Sequence, residues 1–431
     1  MVYVISKNGS SLMPCTNVVA RLLLKGKKAK VLRKEPFTIK LTNETTNYTQ
    51  DLMLGVDTGS GTIGTAVSNE KAEIVYMSEV IVRNDITSKM TDRAKYRRNR
   101  RFRKTRYRKP RFMNRRNSKR VNRFSTTVYS KFHSHIKEIE YIKSILPITK
   151  MVLETGQFDM HLMKNPALAN PKIIHWGYQK GINYGFENTK AMVLNRDNYT
   201  CQHCKGKKKN TKLEVHHIIF RSQGGSDEES NLITLCHDCH EDLHHGKIKL
   251  NLKGKLKGTL KHATQMNSIR KQLFKEYPEA IETFGYITKA NRLKLGIDKE
   301  HHYDACVIAT QGKQITIKSL LYQKRCVPKG DFQQSKGVRS EQKIPTGKIL
   351  GYRKFDKVKY QGGYYFIKGR MSPTKKIKHG YAILMNIKGE KISFDHLPKG
   401  FKTPRMGERL QRVSARKSWI VMSVVDIACT V

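Results

Sequence analysis

Leu52-Met53-Leu54-Gly55-Val56-Asp57-Thr58-Gly59 is the stretch on which the reading of this chain turns. A short apolar run that closes on an acid and a glycine is a strand that carries a carboxylate to the rim of a sheet. Lys150-Met151-Val152-Leu153-Glu154-Thr155 repeats the pattern, with Glu154 at its end. His301-His302-Tyr303-Asp304-Ala305 opens a predicted helix over 301–310, in which His301 and Asp304 share a face and His302 does not. Taken singly, an Asp after an apolar strand is a turn or cap residue. Together, Asp57, Glu154, His301 and Asp304 are a donor set for two Mg2+ ions about 3.5–4 Å apart, which activate water and stabilise the leaving oxygen of a phosphodiester.

Outward from these stretches, 52–56, 62–68 and 73–82 read as three strands joined by hairpins, a meander. Gly59-Ser60-Gly61-Thr62-Ile63-Gly64 matches the spacing of a dinucleotide-binding loop. That loop needs a helix after its glycines, and Thr65-Ala66-Val67-Ser68 is a strand, so the reading is rejected. A helix over 126–146 places Val128, Phe132, Ile136, Ile139, Ile142 and Ile145 on one face, ready to cover the sheet. Residues 2–41 read as a small basic α/β appendage and 42–50 as a linker. Residues 158–186 are irregular, 260–277 helical and 281–288 a strand, and 315–431 change to short strands and turns, a small β-barrel-like region.

With 431 residues the chain has room for two to four domains. Its 84 Lys and Arg against 35 Asp and Glu leave a net charge of +49, more than solubility needs, so the expected partner is a polyanion and first of all nucleic acid. Residues 93–120 concentrate that charge, with 16 Lys or Arg and no acid, and with Tyr96, Phe102, Tyr107 and Phe112 interleaved. A run of one sign repels itself unless a polyanion neutralises it, and arginine suits bidentate phosphate contacts and base stacking. The expected contacts are Arg93, Arg97, Arg98, Arg100, Arg101, Arg103, Arg106, Arg108, Arg111, Arg115 and Arg116, on one helix over 88–109 that stops near Pro110. A disordered basic tail is the alternative, and the place of this segment between folded elements argues against it.

No apolar run long enough to span a membrane is present, and Met1 to Ser10 lacks the charged and apolar regions of a signal peptide. Four cysteines stand as two C-x-x-C pairs, Cys201/Cys204 and Cys236/Cys239, a pattern that suits structural Zn2+ in a reducing cytosol rather than disulfides. Between the pairs lie His216, His217 and Asn231, and His240 follows the second pair directly. Four thiolates already satisfy zinc, which leaves these histidines over for other chemistry. A histidine near its ordinary pKa takes a proton from water at neutral pH while a cation steadies the leaving oxygen. A purely DNA-binding zinc finger is the competing reading.

The ordered segments Leu54 to Gly59, Val152-Leu153-Glu154 and His301 to Ala305 resemble the three split motifs of a RuvC nuclease, which implies an RNase H-like fold. The module between the second and third resembles an HNH endonuclease, a ββα-metal site. That resemblance implies His217 as general base, Asn231 as the residue holding it, and His216 and His240 as ligands of one catalytic Mg2+, with His244 left open. The whole order, with Ser11-Leu12-Met13-Pro14 near the start, resembles the IscB family of transposon-encoded RNA-guided nucleases. In those terms the fold class is α/β multidomain, an RNase H-like RuvC domain split by an arginine-rich bridge helix and an inserted HNH domain, with a small C-terminal β-rich domain. The segments are 1–50 (PLMP-like), 51–84 (RuvC I), 85–125 (bridge helix), 126–160 (RuvC II), 161–186 (linker), 187–246 (HNH with zinc), 247–314 (RuvC III) and 315–431 (target-adjacent-motif reading). The family further implies a guide ωRNA, target double-stranded DNA, a monomeric ribonucleoprotein, two Mg2+ in RuvC and one in HNH, and a cytoplasmic, nucleoid-associated life in a prokaryote. An unguided homing or structure-specific nuclease and a non-catalytic nucleic-acid-binding protein are the alternatives.

Overall fold

A computed structural model describes residues 1–102, 124–164, 166–171, 183–206, 212–250, 252, 260–328, 330, 332–334, 341–343, 350–371, 379–398 and 400–424. The protein is a mixed α/β multidomain chain. It divides into two compact units, one formed by Met1–Gly156 with Gln265–Val431, the other by the intervening Gln157–Thr264.

The larger unit begins with a four-stranded sheet, β1 (Val2–Ile5), β2 (Ser11–Cys15), β3 (Ala29–Lys34) and β4 (Phe37–Leu41), in the order β2-β1-β4-β3, with helix α1 (Asn17–Lys25) between β2 and β3. Strands β5 (Leu52–Asp57), β6 (Thr62–Asn69) and β7 (Glu73–Ile81) follow as the expected antiparallel meander. Helix α2 (Ile86–Arg101) carries the start of the basic run. Helix α3 (Thr126–Lys143) is capped by Ser125, whose hydroxyl accepts from the Val128 amide. Its apolar stripe buries Ile139 and Ile142, with Ile145 just beyond its end, against Leu52, Leu54 and Val56 of β5, which is the face the periodicity predicts.

Strand β8 (Lys150–Glu154) then joins β5 in parallel, with Asp57 directly opposite Glu154. The smaller unit contains α4 (Met160–Lys164), α5 (Thr189–Arg196), the antiparallel pair β9 (Leu213–His217) and β10 (Leu232–Cys236), and α6 (His237–His244). Beyond it come α7 (Lys261–Glu276), β11 (Ile281–Thr283), α8 (Gly285–Lys294) and α9 (His301–Thr310). Here the structure corrects the expected strand over 281–288. Pairing with β8 runs out at Thr283, opposite Glu154, and the chain turns straight into α8.

Helix α9 lies directly on the meander, and two glycines make that approach possible. A Cβ on Gly55 would stand 2.5 Å from the Ala309 amide nitrogen, and one on Gly64 would stand 1.9 Å from the His301 carbonyl oxygen. The glycine pattern once matched to a nucleotide loop is therefore there in part to admit a helix.

The C-terminal segment departs from the expected separate β region. Its strands are β12 (Thr316–Ile317), β13 (Leu321–Cys326), β14 (Phe332–Gln334), β15 (Glu341–Lys343), β16 (Lys357–Tyr360), β17 (Gly363–Met371), β18 (Tyr381–Met385), β19 (Gln411–Ser414) and β20 (Trp419–Val424). Strands β16 to β19 build a sheet of their own, in the order β18-β17-β16-β19, and β14 pairs with β15, while β13 and β20 extend the large sheet to β11-β8-β5-β6-β7-β13-β20 and β12 pairs beside β7. Residues 391–394 form a single bridge, Met385 to Lys391, and the described residues 350–352 form no strand.

The attachment of β13 has a physical anchor. The Lys324 ammonium is fully buried and lies 2.7 and 2.9 Å from the two Glu138 carboxylate oxygens, donates to the Tyr76 hydroxyl at 2.6 Å and sits over the Tyr141 and Trp419 rings. Tyr76 and Ser78 donate their hydroxyl protons to the same carboxylate. Burial pulls the Lys324 pKa down, and Glu138 pushes it back up. A buried pair so well satisfied is costly to break from one side only. Glu138→Ala should destabilise the larger unit by about 3–5 kcal/mol, whereas replacing both partners with apolar residues of similar volume should come close to the parent. Thermal unfolding of the single and double variants measures this, and a single variant as stable as the parent would show that the pair does not hold β13.

Candidate active sites

The candidate residues gather in each of the two units. In the larger unit, Asp57 ends β5 and Glu154 ends the neighbouring β8, so parallel pairing alone puts both carboxylates at one end of the sheet. Thr58 donates its hydroxyl proton to the Glu154 carbonyl at 2.6 Å and pins the two strand ends together. The close seat of α9 brings His301 Nδ1 to 2.6 Å from Asp57 Oδ2, with Asp304 one turn further along. Sequence reasoning missed Arg292 on α8, which is almost buried and places Nε 3.0 Å from Asp304 Oδ1. It also missed Thr288, whose side chain hydrogen-bonds Glu154. His302 turns away as expected, toward Glu79 at 3.5 Å.

The electrostatics of this cluster describe a site short of positive charge. Burial, and then the Asp57 and Asp304 charges, push the Glu154 carboxyl up to about 7. Asp304 is raised by burial and by Asp57, and His301 is raised by its bond to Asp57. Glu154 Oε2 is buried with no hydrogen-bond partner, and Asp304 Oδ1 is buried beside the Arg292 guanidinium. Among the described residues, no three of these four residues bring ligand atoms within 4.8 Å of one another. Buried carboxylates that raise one another's pKa fit divalent cations with hard oxygen preferences, and Asp57, Glu154, His301 and Asp304 are the groups that would hold them.

In the smaller unit, α5 and the β9–β10 pair frame two metal-competent groups. The sulfurs of Cys201, Cys204, Cys236 and Cys239 lie within 4.8 Å of one another, and those of Cys204 and Cys236 are 3.8 Å apart. A tetrahedral Zn2+ with Zn–S bonds of about 2.3 Å sets its sulfurs about 3.8 Å apart, so the residues fit zinc. Burial raises the Cys236 and Cys239 thiols, a cost that a bound cation removes.

The second group is His216, His240 and His244, whose ring nitrogens also fall within 4.8 Å of one another. His244, left open by the sequence, therefore belongs with the other two. His216 Nε2 is buried without a partner, and burial together with His240 and His244 drives the imidazole down to about 4, so it is neutral and able to ligate. Glu214 sits 3.0 Å from His240 Nδ1, which leaves His240 Nε2 as its ligand atom. This donor set fits one divalent cation beside His217, the next residue of β9. Asn231 is fully buried, and its side chain bonds the backbone of Ile219 and Ser226.

Of the expected nucleic-acid contacts, Arg93, Arg97, Arg98 and Arg100 are exposed on α2 and Arg101 is partly exposed at its end. Arg103, Arg106, Arg108, Arg111, Arg115 and Arg116 lie outside the described residues, as does the expected helix end near Pro110.

Residues 201–246, which hold the cysteines, the three clustered histidines, His217 and Asn231, match the HNH endonuclease family. The chain is 38% identical over 69 residues to anaredoxin of Nostoc sp. (strain PCC 7120), covering 16% of this chain and 88% of that protein. The chain carries an HNH endonuclease domain. Its enzyme class is metal-dependent DNA endonuclease. This HNH endonuclease is also 40% identical over 65 residues to the type IV methyl-directed restriction enzyme EcoKMcrA of Escherichia coli (strain K12), which covers 14% of this chain and 23% of that enzyme. Residues 2–181 match the RRXRR protein family, and Arg97-Arg98-Asn99-Arg100-Arg101 on α2 spells the pattern in that name. Among solved structures the HNH endonuclease matches Streptococcus thermophilus Cas9 in complex with the AGAA PAM at 13% identity and a TM-score of 0.28, over 44% of this chain and 26% of that one. Among its described residues, no helix is long and apolar enough to cross a membrane.

Proposed function

We propose that this HNH endonuclease is RNA-guided and makes double-strand breaks in DNA by Mg2+-dependent phosphodiester hydrolysis, as an IscB-type protein. The observation that carries the reading is that candidate metal ligands gather in both compact units of one chain. One metal centre cuts one strand, so two suit a duplex whose strands have been parted. In this reading the HNH module, with His217 as base and His216, His240 and His244 around one Mg2+, cuts the guide-paired strand. Asp57, Glu154, His301 and Asp304 form a RuvC-type site with two Mg2+ and cut the displaced strand.

The exposed arginines of α2 would grip the phosphates of the guide, and the charge of +49 supports a large RNA as well as DNA. Zn2+ on the four cysteines would be structural. The segments bounded at 50, 84, 125, 160, 186, 246 and 314 belong to the same reading, as do a target-adjacent-motif contact by the C-terminal region and a monomeric ribonucleoprotein in the prokaryotic cytoplasm.

Purifying the protein from cells that carry its native flanking DNA, and sequencing the nucleic acid that stays bound, tests guidance. One dominant structured RNA with a variable end is the expected result. A heterogeneous mixture of cellular RNA and DNA would instead favour an unguided nuclease. That second reading draws on the 40% identity over 65 residues to a restriction enzyme.

A further inference from the structure

His217 closes β9 with its ring nitrogen Nε2 2.8 Å from Asp227 Oδ1. Asp227 comes ten residues later on an exposed loop, so a contact this short needs the loop to be held. Asn231 holds it. Its Nδ2 donates to the carbonyls of Ser226 at 2.8 Å and Ile219 at 3.1 Å, its Oδ1 accepts from the Ile219 amide at 3.0 Å, and its own carbonyl accepts from the Ile218 amide at 2.8 Å. One buried side chain thus ties the loop at both ends, one residue before Asp227 and two after His217. The loop closes so tightly at Gly225 that a Cβ there would stand 1.8 Å from the Ile219 carbonyl oxygen.

The chemistry of a general base gives this contact a purpose. An imidazole that takes a proton from water needs a lone pair on one nitrogen and a proton on the other. A carboxylate beside Nε2 accepts that N–H, leaves the lone pair on Nδ1, and stabilises the imidazolium once the proton has moved. Arg221 Nε lies 2.8 Å from the same Asp227 oxygen and 3.3 Å from His217 Nε2. Two N–H groups cannot donate to each other, and the charged oxygen is both nearer and the stronger acceptor, so both donate to Asp227.

We infer that Asp227 is a positioning residue for His217, and that Asn231 acts on the base through the loop that presents Asp227. The inference rests on His217 being the base, as proposed above. The test uses the full chain with its co-purified RNA, Mg2+, and a supercoiled plasmid carrying a match to that RNA, under single-turnover conditions with the nicked strand mapped. The strand whose cutting His217→Ala abolishes is the readout. Asp227→Ala should slow that strand's cutting about 10–100-fold, in the range seen when a partner orienting a functional histidine is lost, with DNA affinity, Tm and cutting of the other strand unchanged. Asp227→Glu should recover part of the rate. Parental cutting by Asp227→Ala overturns the inference and leaves the base assignment standing. Losses of Tm and DNA affinity that accompany the rate, without recovery in Asp227→Glu, overturn it in favour of a structural role. If His217→Ala cuts both strands at the parental rate, the base assignment fails and the inference falls with it.

Discussion

Stripping zinc from this protein should unfold the HNH module while the larger unit keeps its own melting transition. The module's apolar residues form two small clusters: Ile233 and Leu235 with the four cysteines and the partly buried Leu213, Ile218, Leu243, Ile248 and Leu250, and Met192, Val193 and Leu232 with Phe186 and Val215. Clusters of that size cannot offset the chain entropy of ordering the module, at about 1–2 kcal/mol per residue for the backbone alone. Structural zinc supplies about 10–16 kcal/mol of apparent binding free energy in comparable small domains, so its loss is decisive. The four sulfurs also sit at the two ends of what must be held, because Cys236 joins β10 to α6 and α6 carries His240 and His244. Removing the ion should therefore disperse the histidine cluster and end cutting by this centre. Metal analysis should find one structural zinc per chain, and hydrogen exchange after chelation or in Cys236→Ser should show lost protection confined to the module. A chain that holds no zinc, or that keeps module protection after chelation, would sink the assignment.

Asp57→Ala should convert double-strand cutting into nicking, and His217→Ala should leave the opposite nick. Asp57 is the residue in contact with His301, and its charge bears on both Glu154 and Asp304, so its carboxylate is central to the larger unit's cluster. A lost metal ligand forfeits several kcal/mol of transition-state stabilisation, and at about 4 kcal/mol the rate at that centre falls about 10^3-fold. Because His217 belongs to a different compact unit, its removal should spare the Asp57-dependent strand. Strand-labelled duplex resolved on a denaturing gel separates the two products. Intact double-strand cutting by either single variant would mean that the two centres do not divide the strands.

What could be seen before folding was periodic or fixed by short spacing. The meander, the apolar stripe of α3, the ends of β5 and β8, and α9 from His301 to Thr310 all follow from local hydrophobic patterning, and each occurs where that patterning places it. The cysteine pairs and the histidines between them could be read for the same reason, because metal ligation demands few residue types at tight spacings.

The remainder depended on partners distant in sequence. Ile281 to Thr288 is apolar enough for a strand throughout, yet only 281–283 finds a pairing edge, and the helix that follows delivers Thr288 and Arg292 to the carboxylates. Leu321 to Cys326 and Trp419 to Val424 carry no mark of the sheet they join; β7 and the buried Glu138 decide it. His244 and Asp227 are ordinary exposed polar residues in the sequence, and only the fold sets one beside His216 and the other against His217. By itself the sequence determined which strands and helices form and which residue types are present to bind metal. The tertiary structure decided which of those residues meet, because backbone preference acts over a few residues whereas ligation, ion pairing and general-base positioning act through space.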